Sequence, residues 1–292
     1  METGRILRGI GGFYYVRLSD GRVVTSRARG RFRRERITPM IGDLVDVEPQ
    51  QDGDWALQTI HARKNALVRP PVSNIDRLVI VVAASNPKPD WLLVDKLLLQ
   101  GALLSISPVL VLNKLDEREQ SVMDTFHTDY ATAFPVCRIS TKTGEGLPAL
   151  RTLLDHGVSC LAGQSAVGKS SLINALIPAL SLEVGALSEK TERGRHTTRH
   201  AELLSYGDGM LVDTPGFSLL ETGAMTQERI DACYPEFGDA PTRCRFAGCT
   251  HIAEPDCAVK ALVASGKLSA GRYARYLTLH KEIEQRRMRI YD

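Results

Sequence analysis

The chain has 292 residues, 43% of them hydrophobic and 24% charged, with a formal net charge of +3. That composition is ordinary for a folded chain of about two or three domains and excludes a low-complexity chain. No apolar run approaches the roughly 18–20 residues that span a bilayer, and Met1-Glu2-Thr3-Gly4-Arg5 lacks the apolar block of a secretory leader, so a cytoplasmic protein is expected.

Residues 1–69 read as a small β-barrel. Gly12-Phe13-Tyr14-Tyr15-Val16-Arg17-Leu18 alternates, meets the turn signal Ser19-Asp20-Gly21, and is followed by Val23-Val24-Thr25, as in a hairpin. Ile41 to Val47 alternates again, and Trp55 to Ile60 is a further strand candidate. Between them, Arg22 to Arg36 holds seven arginines against one acid, Glu35. Clustered cations of this kind suit a phosphate backbone, although a solvated basic face has the same composition. Pro70-Pro71 marks a boundary.

Residues 70–225 alternate strand and helix signals. Leu78 to Ala83 and Pro108 to Leu112 are continuous apolar runs, as expected of strands buried on both faces. Trp91 to Leu99 reads as a helix between them. Gly157 to Ala162 is a third strand feeding a helix at Lys169–Leu176, and Met210-Leu211-Val212 a fourth strand. The order predicts an α/β domain around a parallel sheet. In residues 226–292, Ala258 to Ala264 and Ala270 to Ile290 read as helices.

Gly163-Gln164-Ser165-Ala166-Val167-Gly168-Lys169-Ser170 fits the phosphate-loop pattern, with a strand before it and a helix beginning near Ser171 after it. Backbone N–H groups of such a loop wrap polyanionic phosphates, which needs glycine at the tight positions. Lys169 is expected to neutralise β/γ oxygens and Ser170 to hold Mg²⁺. Asn113-Lys114-Leu115-Asp116 ends the second apolar strand, where a doubly wound sheet binds ligands. A carboxylate at Asp116 accepts both donors on one edge of guanine, N1–H and the 2-amino group, whereas adenine leaves it poorly paired. Asn113 can bond N7 and steady the neighbouring loops, and the Lys114 stem can pack over the ring. Ser140-Thr141-Lys142 begins a second guanine-side loop whose N–H groups can reach O6.

Asp213-Thr214-Pro215-Gly216 follows the fourth strand, so Asp213 can hold Mg²⁺ through water and the Gly216 N–H can meet a γ-phosphate. Gly194 to His200 lies between the two phosphate elements; Thr198, in preference to Thr197, is expected to close on Mg²⁺. Phe217 stands where many GTPases carry the Gln that orients the attacking water, and His196 is the nearest substitute in sequence. The guanine reader precedes the phosphate loop, the reverse of the usual order, so the GTPase domain is circularly permuted. In that order the segment after Gly216 leads straight into the C-terminal region and couples it to nucleotide state.

Cys244, Cys249, His251 and Cys257 offer three thiolates and one imidazole, a full tetrahedral set for structural Zn²⁺ with no open position.

The permuted order, Gly194-Arg195-His196-Thr197-Thr198, Phe217 and the Cys/His cluster together resemble the ribosome small-subunit-dependent GTPase A (RsgA/YjeQ) family over nearly the whole chain. The resemblance implies an N-terminal OB-fold, a central α/β P-loop GTPase domain and a mainly helical C-terminal zinc domain. It also implies GTP/GDP, Mg²⁺ and one zinc as cofactors, and hydrolysis of GTP on the small ribosomal subunit during late maturation. Ala166 departs from the family's usual Gly, and the fourth loop position lacks the Asn that marks potassium-activated GTPases, so potassium dependence is not expected. Phe13, Tyr14, Tyr15 and Phe32 of the barrel, and Arg272, Tyr273, Arg275 and Tyr276 with Arg286, Arg287 and Arg289, are candidate rRNA contacts. A monomer without membrane contact is expected. The competing readings are an RNA-binding scaffold with GTP as a structural ligand and a trafficking GTPase. Intact Lys169, Ser170 and Asp213 weigh against the first, and the missing lipidation signal against the second.

Overall fold

Alternation along the first strands places one face inward and closes a barrel. The structure, a computed structural model, describes residues 1–51, 53–67, 70–180, 202–213, 230–231 and 233–291. Strands β1 (Glu2–Ile10), β2 (Phe13–Leu18), β3 (Val23–Ala28), β4 (Leu44–Pro49) and β5 (Trp55–Ile60) close in the order β1-β2-β3-β5-β4. All neighbours run antiparallel except β3 and β5, which are parallel. A short helix, α1 (Gly30–Arg34), links β3 to the segment before β4. This is the five-stranded OB arrangement. Ile6, Val16, Leu18, Val45, Val47 and Leu57 fill the barrel, and Phe32 of α1 plugs it. Phe32 is 4% exposed, so it is a core residue and not the base-stacking ring that its arginine neighbours suggested.

Pro70 and Pro71 fall in a turn just before β7 (Val72–Ser73), which pairs with β6 (Ala66–Leu67). The boundary is stitched to the barrel through Asp43. Its fully buried carboxylate accepts bonds from Arg63 Nε (2.7 Å), Ser73 Oγ (2.6 Å) and the Met40 N–H (2.8 Å).

The second unit is a six-stranded sheet in the order β10-β9-β8-β11-β13-β12. Its strands are β8 (Arg77–Ala83), β9 (Ser107–Asn113), β10 (Val136–Arg138), β11 (His156–Ala162), β12 (Glu202–Tyr206) and β13 (Asp208–Asp213). All neighbours are parallel except the edge strand β12, antiparallel to β13. Leu78, Ile80 and Val82 of β8 enter one core, and Val79, Val81 and Ala83 the other, which is why the strand reads as an unbroken apolar run. Helices α2 (Trp91–Leu103) and α3 (Gln120–Tyr130) cover the first face; α4 (Leu147–Leu154) and α5 (Lys169–Leu176) cover the second. From β8 the chain first builds outward through β9 and β10, then returns to the other side of β8 with β11. The topological switch point, where such sheets bind ligands, therefore lies between β8 and β11 at their carboxyl ends.

The third unit carries 3₁₀ turns at Pro235–Phe237 and Ala240–Arg243, then α6 (Ala258–Ala264) and α7 (Ala270–Tyr291). Its core joins Tyr234, Phe237, Val259, Tyr276 and Leu279 to Leu99 of α2. Among the described residues no helix is long and apolar enough to cross a membrane.

Candidate nucleotide site and metal centre

The phosphate loop runs from the end of β11 to the start of α5. Gly163 has φ +133°, and a Cβ there would meet the Val81 carbonyl oxygen of β8 at 2.3 Å. Gly168 has φ +99°, and a Cβ there would meet Asn113 Nδ2 at 2.4 Å. Both glycines are therefore demanded by close approach as well as by backbone conformation. Ala166 adopts φ 62°, in the left-handed region where a Cβ carries a penalty of about 1–2 kcal/mol. Lys169 Nζ donates to the Gly163 and Gln164 carbonyl oxygens at 2.8 and 2.7 Å, folding over the loop it serves. Burial pulls its pKa below that of an ordinary lysine.

Asn113 is the joint of the site. Its side chain is fully buried at the end of β9. Nδ2 donates to the Val167 carbonyl of the phosphate loop at 3.0 Å, and Oδ1 accepts from the Thr141 N–H at 3.2 Å. One amide thus ties together three loops from distant stretches of chain. The Thr141 N–H is committed to this bond rather than turned to a ligand. Lys114, at φ 65°, sends Nζ to the Asn86 carbonyl at 2.6 Å. Asp116 Oδ1 accepts from Ser140 Oγ at 2.6 Å, and Oδ2 lies 3.6 Å from Lys142 Nζ. The Ser140 hydroxyl in particular holds the Asp116 carboxyl below the usual range, so it is ionised throughout the neutral region. Gln164 Oε1 accepts from the Asp90 N–H at 3.2 Å, linking the phosphate loop to the start of α2, a contact that no motif announces.

The Asp213 backbone ends β13, opposite Glu202 of β12. His196, Thr197, Thr198, Gly216 and Phe217 lie outside the described residues.

The metal set is brought together. The donor atoms of Cys244, Cys249, His251 and Cys257 all lie within 4.8 Å of one another. Cys244 Sγ is 3.5 Å from His251 Nδ1 and 3.9 Å from Cys257 Sγ, and His251 Nδ1 is 3.3 Å from Cys257 Sγ. Tetrahedral zinc, with bonds of about 2.3 Å to sulfur and about 2.0 Å to nitrogen, separates its ligands by roughly 3.5–3.8 Å. The four residues fit. Burial and the adjacent Cys257 and Cys244 thiols push the Cys249 thiol up to about 12, a penalty on crowded thiolates that a bound dication removes. Asp231 Oδ2 lies 3.3 Å from His251 Nε2, near enough to steady the imidazole by charge but without an aligned hydrogen bond. Glu254 folds the ligand loop, accepting from the Thr250 N–H (2.6 Å), Thr250 Oγ1 (2.8 Å) and the Ile252 N–H (3.0 Å). Burial alone raises its carboxyl, but these donors overcome that effect and hold it at about 2.

Three of the residues expected to form an rRNA face on the C-terminal helix, Arg272, Arg275 and Tyr276, are turned inward, whereas the side chains of Arg286, Arg287 and Arg289 lie outside those described. Arg272 is 1% exposed, with Nη1 2.6 Å from Asp95 Oδ1 and Nε 2.5 Å from Glu236 Oε1. Arg275 spans Asp95 Oδ2 and Asp129 Oδ2, both at 2.7 Å. Tyr276 is buried and donates to Asp231 Oδ1 at 2.7 Å. Through Asp95 and Asp129, Arg272 and Arg275 clamp α7 onto α2 and α3. The spacing that suggested an exposed basic stripe marks a buried one, since each arginine finds its carboxylates on other helices. On the barrel, Phe13 and Tyr15 are half-buried, with the Arg27 and Arg8 guanidinium groups 4.5 and 4.2 Å from their ring centres. Arg8 and Arg17 also reach β12, at Glu202 (3.4 Å) and Ser205 (2.9 Å).

A permuted sheet with the phosphate loop and guanine reader joined at its switch point, preceded by an OB barrel and followed by a Cys/His cluster, defines a circularly permuted P-loop GTPase. The RsgA GTPase family model matches residues 60–223, and the RsgA N-terminal domain model matches residues 3–56. The chain is 41% identical over 293 residues to the small ribosomal subunit biogenesis GTPase RsgA of Geobacillus sp. (strain WCH70), covering 99% of this chain and 100% of that protein. It is 41% identical over 295 residues to the protein of that name from Halalkalibacterium halodurans, covering 100% of both. Among solved structures, YjeQ from Thermotoga maritima superposes with a TM-score of 0.85 at 31% identity, over 97% of this chain and 98% of that one. YloQ, described as a circularly permuted GTPase, gives 0.82 at 34% identity, over 98% and 96%. The chain belongs to the RsgA GTPase family.

Proposed function

We propose that this protein hydrolyses GTP, with Mg²⁺, while bound to the small ribosomal subunit during its late maturation, and that the subunit stimulates turnover. The observation that carries the reading is Asn113, which joins the guanine reader to the phosphate loop and so builds one site for one nucleotide. Relatives sharing about two-fifths of the sequence over their whole length bear the name of small-subunit biogenesis GTPases. Asp116 reads guanine and Lys114 flanks the ring; Ser140, Thr141 and Lys142 complete that side. The loop Gly163–Ser170 with Ser171 holds the phosphates, and Lys169 stabilises charge on the transferring group. Ser170, Thr198 and Asp213 hold Mg²⁺, which supplies charge neutralisation when bound, and Gly216 contacts the γ-phosphate. Thr197 belongs to the same nucleotide-side segment and is the alternative to Thr198 for the Mg²⁺ hydroxyl, and His196 orients the attacking water in place of the Gln that Phe217 replaces. Cys244, Cys249, His251 and Cys257 hold one structural zinc.

The working units are residues 1–69, 70–225 and 226–292. The partner surface is rRNA, met by the arginine-rich side of the barrel in a cytoplasmic monomer. The test is the GTPase rate with and without purified small subunits, at low and moderate salt. Strong stimulation that weakens steeply with salt is expected of a phosphate-dominated contact. Turnover that is slow whether or not subunits are present rejects the reading.

A further inference from the structure

Helix α2 has no solvent face of the usual kind. Val94, Leu97 and Leu98 pack on the sheet, while Leu99, with Leu92 and Leu103, packs into the core of the C-terminal unit. Asp95 sits in the middle of that helix with its side chain fully buried. It accepts from Tyr130 Oη of α3 at 2.6 Å and faces Arg272 and Arg275 of α7 at 2.6 and 2.7 Å. Asp129 of α3 meets Arg275 and the Ser269 hydroxyl. Lys96 pairs with Glu282 across the same joint at 2.7 Å.

Each end of this network leads to a site. On α7, one turn or less from the two arginines, Tyr273 Oη donates to the His251 carbonyl at 2.6 Å, and the single Tyr276 O–H is shared between Asp231 Oδ1 and the Thr250 carbonyl, 2.7 and 2.8 Å away. Both acceptors belong to the loop that carries the metal ligands. On the other side, the N–H of Asp90, which caps α2, is held by Gln164 of the phosphate loop. The same helix runs on into β9 and Asn113, and α3 begins just after Asp116. The C-terminal unit is therefore fastened to the two helices that flank the guanine reader.

We propose that zinc occupancy and guanine-nucleotide binding are coupled through this joint. With the metal loop formed, α7 holds α2 and α3 in the register in which the guanine reader and the phosphate loop meet. Without it, α7 loses the loop that orders Tyr273 and Tyr276, the arginines lose their fixed geometry, and nucleotide binding must gather the loops itself. The coupling is reciprocal by thermodynamic necessity: whatever factor zinc contributes to nucleotide affinity, nucleotide contributes to zinc affinity. Asp95 and Asp129 are positioning residues in this device, acting through the helices and touching neither ligand. The inference rests on the zinc and nucleotide assignments above.

The test uses the full chain and a fluorescent GDP analogue, with Mg²⁺ constant and zinc removed by a zinc-selective chelator. Stripping zinc is expected to weaken the analogue about fivefold or more, the usual scale of such couplings. GDP is expected to raise the protein's affinity for zinc by the same factor. In Asp129→Asn, which keeps the shape of the side chain but removes the charge facing Arg275, both factors should fall together. Should that variant not fold, Lys96→Ala removes only the partly exposed pair across the joint and should reduce both factors more modestly. Equal nucleotide affinity with and without zinc overturns the proposal while leaving both sites standing. Fresh protein that holds no zinc overturns the metal assignment, and failure to bind the GDP analogue in any state overturns the nucleotide assignment.

Discussion

Replacing Asp116 by Asn changes one atom and tests the guanine reader directly. The carboxylate has acceptor capacity to spare: Oδ1 takes the Ser140 hydroxyl at 2.6 Å, and Oδ2 is 3.6 Å from Lys142. Two donors on the guanine edge find two ionised acceptor atoms, each bond contributing about 1.5–3 kcal/mol when one partner is charged. In Asp116→Asn the Oδ1 atom still accepts from Ser140, so melting temperature should hardly change. The new amide N–H₂ instead opposes the 2-amino group, donor against donor. With one charge-assisted bond lost and a donor facing a donor, GDP binding should weaken by about a hundredfold. Xanthine carries a carbonyl where guanine carries that amino group, so the variant should bind XDP more tightly than GDP. Calorimetric titration of both proteins with both nucleotides reads the outcome. Because the Ser140 hydroxyl keeps the Asp116 carboxyl ionised well below neutrality, Asp116 should add no pH dependence to wild-type GDP affinity in the neutral range, and what dependence appears belongs to the terminal phosphate, whose second pKa is about 6. A variant that binds GDP within tenfold of wild type, with no gain for XDP, refutes the assignment of Asp116.

Four further outcomes are expected. Asn113→Ala leaves the Val167 carbonyl and the Thr141 N–H without their buried partner, and a fluorescent-GDP titration should show a loss of about 2–4 kcal/mol. Ala166→Gly relieves a left-handed alanine, and thermal melting should rise by the few degrees that about 1 kcal/mol represents in a domain this size; an unchanged or lower melting point would mean that chain entropy outweighs the strain. Glu254→Gln removes charge from a carboxylate held at about 2, and zinc should pass to a chelator severalfold faster at neutral pH. The lowered carboxyl adds stability to the loop above about pH 4.5, lost as pH falls toward 2, and the variant should lack that dependence. His196→Ala should lower GTP turnover about tenfold or more with nucleotide affinity unchanged, and normal turnover at saturating GTP would exclude its positioning role.

What a local window of sequence could reveal was set by where each residue finds its partners. β8, β9 and β11 were legible because strands buried on both faces are apolar throughout, and the helices over Lys169–Leu176 and Ala258–Ala264 matched their expected bounds. β1 escaped because Gly4, Arg5, Arg8 and Gly9 dilute its alternation, and a bulge between Ile6 and Arg8 shifts its register. β12 escaped because a short edge strand buries little: Leu203 is its one fully enclosed residue. α3 is mostly polar, its buried stripe reduced to Val122, Phe126, Asp129 and Tyr130. The nucleotide loops were legible because their chemistry is contiguous in sequence. The Asp231 carboxylate beside His251, and Asp95 with Arg275, separated by 180 positions, were not, because nothing local pairs them. The same blindness turned a buried arginine pair into an expected RNA contact.

Motif order leads the segment after Gly216 straight into the C-terminal region, so nucleotide state can move the metal-binding unit with little linker slack. Among the described residues, the C-terminal unit is also fastened to α2 and α3, the helices that flank the guanine reader. Guanine contacts are the same in GTP and GDP, whereas only the γ-phosphate side distinguishes them. A unit anchored on the guanine side therefore senses whether any nucleotide is bound, and the chain entering it from β13 is the route by which it can sense which one. Breaking a buried ion pair costs about 3–5 kcal/mol, more than a typical allosteric coupling of about 1–3 kcal/mol. The joint at Asp95 should consequently remain closed through the GTPase cycle, leaving γ-phosphate signals to act on the edge of the sheet. There, β12 meets the barrel through Arg8–Glu202 and Arg17–Ser205, contacts of half-exposed side chains that cost far less to remake. The permuted chain in this way separates a rigid attachment at its C-terminal unit from an adjustable one at its N-terminal barrel.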